Sequence, residues 1–201
     1  MQDPPIGQKE VTTAERSWPP AQGEWTYEDW LRLPDDGYRY EVIAGVLYVS
    51  PPPLTRHQRA LIRLVGLFLD FLKLRPVGEV LCAPVGVRLP NQPVPFQPDI
   101  VFIRAERLHI IGENYIEGIP DLVVEILSPS NWLYDRREKM RVYQEAGVPE
   151  YWIVDPRAET IEIYALEQGI YELASQYSRS EVAASQVLPG FEVPVEEIFA
   201  R

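Results

Sequence analysis

In the stretch "PDLVVEILSPSN", Pro120 to Asn131, five apolar residues, Leu122, Val123, Val124, Ile126 and Leu127, surround a single glutamate, Glu125. An unbroken apolar run bounded by turn residues reads as a strand buried on both faces. Such strands belong to sheets covered by helices, so the run alone points to a layered α/β fold. The glutamate adds a second constraint. A buried carboxylate costs several kcal/mol unless it is paired or bound to a metal. The chain must therefore bring a positive partner to Glu125.

The remaining segments supply the layers. Thr26 followed by "YEDWLRL" reads as an N-cap and a short helix ending near Pro34. "YRYEVIAGVLYVS" predicts a hairpin turning at Ala44-Gly45. From Leu54 to Leu74, Leu61, Leu64, Val65, Phe68 and Leu72 recur at helical spacing. "GEVLCAPVGVRLP" holds one or two strands, and Pro98 to Arg104 another. Asn131 to Ala146 predicts a helix that Gly147 stops. "EYWIVD" is a strand, "TIEIYAL" and "IYELAS" form a hairpin, and "LPGFEVPVEEIFA" ends in a helical turn. The expectation is an α/β fold with a central mixed sheet flanked by helices. Residues 26–201 form one domain, and the proline-bearing residues 1–25 form a flexible tail. With 46% hydrophobic residues in 201, one domain can bury a sizeable core.

Charge and cysteine content narrow the function classes. A net charge of -11 gives no global attraction to nucleic acid, so any such partner needs local features. One cysteine, Cys82, excludes an intramolecular disulfide and suits a reducing cytoplasm; it reads as a buried small side chain. No basic leader precedes an apolar segment, and no apolar run approaches the roughly 18 residues of a membrane span. A cytoplasmic chain with no membrane partner is expected.

Two strands open with the same dipeptide, Pro98-Asp99 and Pro120-Asp121. If they are neighbours, Asp99 and Glu125 can face one another. Facing carboxylates repel, and a divalent cation removes the conflict. Mg²⁺ or Mn²⁺ with one or two carboxylates, water and phosphate oxygens is a site for hydrolysing a phosphodiester. The position two residues past Glu125 is Leu127, which carries no charge. The next lysine is Lys139, on the following helix and four residues from Asp135. Helical side chains lean toward the N-terminus, so Lys139 can point back at Glu125. Ser130 or Asn131 can cap that helix, whose start favours an anion, with Arg136 near it. Arg56, Arg59 and Arg63 cluster on the long helix. His57 falls on that helix's inward face, and Glu41 is a further acid on a largely apolar strand. Asp121 and Ser128 read as turn residues.

Taken together, "YEVIAGVLYVSPPPLTRHQ", "PDIVFI", "PDLVVEILSPSN", "DRREKMRVYQEAGVPEYWIVDP" and "LPGFEVPVEEIF" resemble the Uma2 family. These bacterial proteins, abundant in cyanobacteria, are described as restriction-endonuclease-like and belong to the PD-(D/E)XK nuclease superfamily. The resemblance covers about residues 26 to 199. It implies a restriction-endonuclease-like core and a metal-dependent endonuclease acting on nucleic acid, DNA before RNA. It also implies Asp99 and Glu125 as catalytic metal ligands, Glu41 as a helper at the metal, and Lys139 as the lysine moved from strand to helix. His57, Ser130, Asp135 and Arg136 fall in supporting or substrate-binding places. A homodimer is expected by analogy. The alternative is a nuclease fold without turnover, serving as a nucleic-acid-binding or assembly module; Leu127 at the usual lysine position is the feature that favours it.

Overall fold

The structure, a computed structural model, describes residues 17–90, 92–128 and 135–200. Helix α1 (Tyr27–Trp30) opens on a capping box. The Thr26 hydroxyl accepts from the Asp29 N–H, and the Asp29 carboxylate accepts from the Thr26 N–H. Strands β1 (Arg39–Ile43) and β2 (Val46–Ser50) pair as an antiparallel hairpin. Its turn needs two left-handed residues, Ala44 (φ 48°) and Gly45 (φ 76°), as two-residue hairpins do. The Gly45 carbonyl accepts from the N–H groups of Gly23 and Trp25. Trp25 is buried beside Val42 and Val94. Most of the expected tail lies outside the described residues, and its last part is bound against this hairpin.

Helix α2 (Thr55–Leu74) buries Ala60, Leu61, Leu64 and Phe68, one face at helical spacing. Six strands form the central sheet: β3 (Gly78–Cys82), β5 (Ile100–Arg104), β7 (Leu122–Ile126), β8 (Glu150–Asp155), β9 (Thr160–Glu167) and β10 (Ile170–Tyr177). Their order is β10-β9-β8-β7-β5-β3. Only β7 and β8 run parallel. Antiparallel strands can be joined by short turns, but this pair needs a crossover, and α3 (Met140–Ala146) lies in it. Gly147 ends α3 in the left-handed conformation (φ 88°). Short strands β4 (Gly86–Arg88) and β6 (Tyr115–Glu117) pair parallel, and β11 (Val182–Ala184) and β12 (Glu192–Pro194) pair antiparallel. Helix α4 (Val195–Phe199) closes the described chain.

Both faces of the sheet are covered, as the uniform apolar runs require. Ile100, Phe102, Leu122, Val124 and Trp152 pack with α2, β12 and α4 on one face. Val101, Ile103, Val123, Tyr151 and Ile153 pack with Val142 and Tyr143 of α3 on the other. Each fully buried large side chain contributes about 1.5–3 kcal/mol. Tyr151 and Trp152, both fully buried, belong to this core. Cys82 does not: it is exposed at the end of β3, an edge strand, where one neighbour is missing. Among the described residues no helix is long and apolar enough to cross a membrane.

Candidate active site

The ladder between β5 and β7 pairs Ile100 with Val124, Val101 with Val123 and Phe102 with Leu122. Continued by one step, it sets Asp99 opposite Glu125. Opposite residues of an antiparallel pair share a face, so both carboxylates stand on the α3 side at the end of the two strands. The same row continues across the sheet, because Glu125 pairs with Ile153 and Ile153 with Glu162.

Each acid has its own holders. The Asp99 carboxylate accepts from the Ile126 N–H at 2.8 Å and from Arg39 at 3.1 Å. His57 Nε2 lies 3.1 Å from Asp99 Oδ2. Burial acts to raise the Asp99 pKa. The His57 hydrogen bond and the Arg39 charge outweigh it and hold the carboxyl well below its usual range. An ionised carboxylate only accepts, so Nε2 carries the proton. Among the described residues, His57 Nδ1 is then left buried without a hydrogen-bond partner.

Glu125, buried in β7, receives Lys139 Nζ at 3.1 Å on both oxygens and the Tyr143 hydroxyl at 2.7 Å. Lys139 Nζ also lies 3.2 Å from Glu41 Oε2, out of line for a hydrogen bond. Glu41 Oε1 accepts from the Gln97 N–H at 3.3 Å. Lys139 is only 1% exposed, so this ammonium is held by carboxylates in place of water. Burial, then the charges of Glu125 and Glu41, raises the Tyr143 pKa well above its ordinary value, keeping that hydroxyl a donor.

The expected helix differs at its start. Residues 131–134 and Ser130 lie outside the described residues, and Asp135–Lys139 form a π-helical turn before α3. Such wide turns re-aim side chains and recur at functional sites. Three residues apart on this turn, Lys139 meets Glu125 and Arg136 meets Glu162. Arg136 pairs bidentately at 2.7 and 2.8 Å with Glu162, which also accepts from Tyr164. Burial, then the Glu162 contact, pushes Tyr164 up to about 12. Arg136 is thus spent on β9, two strands from Glu125. The backbone of Asp135 begins the turn; its side chain is outside the description. Arg63 is tied to the carbonyls of Ile198 and Ala200, leaving the basic cluster of α2 smaller than expected.

A cleft of about 630 Å³ opens onto these acids. Arg39, His57, Gln97, Asp99 and Glu125 line it, whereas Glu41 and Lys139 lie off its wall. Among the described residues, no three His, Cys, Asp or Glu side chains are arranged to hold a metal ion. Sequence reasoning missed Arg39 and Tyr143. Both carried a signal: Arg39 stands two before Glu41 on one strand face, and Tyr143 four after Lys139 on one helix face.

The Uma2 family model, described as "Putative restriction endonuclease", matches residues 27–196, and the chain belongs to that family. Among solved structures, a protein from Anabaena variabilis ATCC 29413 described as a "putative nuclease belonging to DUF820" has the same fold. Its TM-score is 0.69 at 19% identity, covering 88% of this chain and 98% of that one. No curated protein matches.

Proposed function

We propose that this Uma2-family protein is a Mg²⁺- or Mn²⁺-dependent endonuclease that hydrolyses phosphodiester bonds in nucleic acid, DNA being the first polymer to test. The observation that carries the reading is the facing pair Asp99 and Glu125 on a cleft wall, with a buried lysine fixed against Glu125. The donor chemistry fits such an ion. Two hard carboxylates, Asp99 and Glu125, line the cleft together, while Glu41 lies off its wall against Lys139. A cation that takes one or two protein carboxylates and keeps several waters suits this set better than one needing a full protein cage. Asp99 and Glu125 would hold it, and Glu41 is placed to act through Lys139. Bound there, the ion supplies charge to the phosphoryl oxygens and lowers the pKa of a coordinated water.

The chain's own residues do the rest. The His57 hydrogen bond and then the Arg39 charge keep Asp99 ionised. Tyr143 fixes the orientation of Glu125. Lys139, off the cleft wall, holds the Glu125 carboxylate in place and offsets its charge, its own position set by two carboxylates. Cleavage of supercoiled plasmid and of labelled single-stranded DNA and RNA, with EDTA, Mg²⁺ or Mn²⁺, tests the reading. Turnover should need the metal and vanish in Glu125→Ala and Lys139→Ala. Cleavage unchanged in Glu125→Ala overturns it.

One observation favours a second reading. Lys139 sits against two of the acids and Arg39 against the third, so much of the cluster's charge is met without any ion. A binding or assembly protein on the nuclease fold would show that balance. It predicts nucleic-acid binding with no metal-dependent cleavage in the same assay.

A further inference from the structure

The cleft has two kinds of wall. At its floor are Asp99 and Glu125. At its mouth are Tyr38 and the run Pro51-Pro52-Pro53. Arg39 pairs with Ser50 at the open end of the β1–β2 hairpin, so Tyr38 and Pro51 leave that end side by side. Tyr38 is 50% exposed, a large ring presented to solvent on a wall otherwise rich in proline.

The electrostatics argue against a duplex. Double-stranded nucleic acid is held mainly by a broad array of lysines and arginines on its phosphates. This chain has a net charge of -11. Several arginines that might have joined such an array are turned inward or neutralised: Arg39 to Asp99, Arg63 to backbone carbonyls, Arg136 to Glu162, and Arg141 to Glu138 and Glu145. The exposed Arg56 and Arg59 on α2 and Arg137 on the π turn are too few for one. A single unpaired nucleotide makes a different demand. Its base is an apolar plane that stacks on an aromatic ring whatever its identity, and few phosphates need neutralising. A cleft of about 630 Å³ is of the size that encloses a small ligand, not a helix of nucleic acid.

We propose that the cleft admits one unpaired nucleotide at a time, its base stacked on Tyr38 beside the proline run and its phosphate turned toward Asp99 and Glu125. The substrate is then an unpaired strand, loop or end, and a base within a duplex is refused. The inference rests on the nuclease reading for its substrate class, but its test does not depend on turnover.

The experiment is fluorescence anisotropy with the full chain. A labelled single-stranded oligonucleotide is compared with the same strand annealed to its complement, with Ca²⁺ present in place of Mg²⁺. Wild type is run beside Tyr38→Ala and Tyr38→Phe. The single strand should bind at least tenfold tighter than the duplex. Tyr38→Ala should weaken single-strand binding about tenfold, the order of one lost base–aromatic stack, while Tyr38→Phe retains it. Equal or tighter duplex binding, binding of neither form, or a Tyr38→Ala variant that binds like wild type overturns the proposal. A Tyr38-dependent single-strand preference with no cleavage in Mg²⁺ keeps the proposal and removes the nuclease reading. Metal-dependent cutting within a duplex stem does the reverse.

Discussion

Glu125 and Glu150 are both buried carboxylates on neighbouring parallel strands, yet they live by different means. Glu150 faces the α2 side. Its oxygens accept from the Trp152 indole, the Ser185 hydroxyl and the N–H groups of Gln186 and Val187, at 2.6–2.9 Å. These donors are neutral, and they come from its own strand and one loop. Glu125 faces the α3 side, where its partner is an ammonium shared with Glu41 and its neighbour is another acid. Dipoles satisfy the first and make a staple. Net charges hold the second and leave a carboxylate on a cleft wall. Burial of an acid is therefore no sign of chemistry by itself; the sign is a charge set that faces a cavity.

The sharpest way to break this contrast is to remove Lys139. Lys139→Met strands Glu125 and Glu41 in the interior, and urea unfolding should show a loss of about 3–5 kcal/mol. Adding Glu125→Gln to that variant should restore part of it. In Glu150→Gln the amide NH₂ must face either the Trp152 indole N–H or the Gln186 and Val187 N–H groups, which can only donate. It should cost about 1–3 kcal/mol while leaving turnover intact. Glu125→Gln should abolish turnover, so paired stability and activity measurements separate the two sites.

Acid sharpens the same difference. The native Asp99 pKa is depressed, so its contribution is full above the ordinary carboxylate range, near about 4, and is lost as pH falls below it. Melting temperature should fall between pH 5 and 3 more steeply in wild type than in Asp99→Asn. Mg²⁺ at ten times its Kd should stabilise wild type by about 1.4 kcal/mol and leave Glu125→Gln unmoved. Arg136→Ala should give the smallest change, about 1 kcal/mol or less, because its bidentate pair is partly exposed.

Much of this arrangement can be read from residue order. The apolar runs placed β5, β7 and β8, the lone glutamate marked a buried acid in need of a partner, and the lean of helical side chains brought Lys139 back to it. Three features resisted. The π turn cannot be told from an α-helix by apolar spacing, so Arg136 was expected at the site and not over Glu162. The role of Glu150 depends on a loop some 35 residues away, which local pattern does not encode. The short strands β4 and β6 pair with β5 lying between them in sequence, and have too few residues to announce a period.

The facing row of Asp99 and Glu125 has one more consequence, for how the sheet finds its alignment. "IVFI" on β5 and "LVVEI" on β7 are so evenly apolar that sliding one past the other by a residue or two still sets oil against oil. Hydrophobicity cannot choose among these alignments. Only one of them gives Asp99 the Ile126 N–H while seating Glu125 under Lys139. Every other leaves an acid buried without its donors. The charged residues thus proofread the strands that carry them, and the site helps select the fold in which it exists.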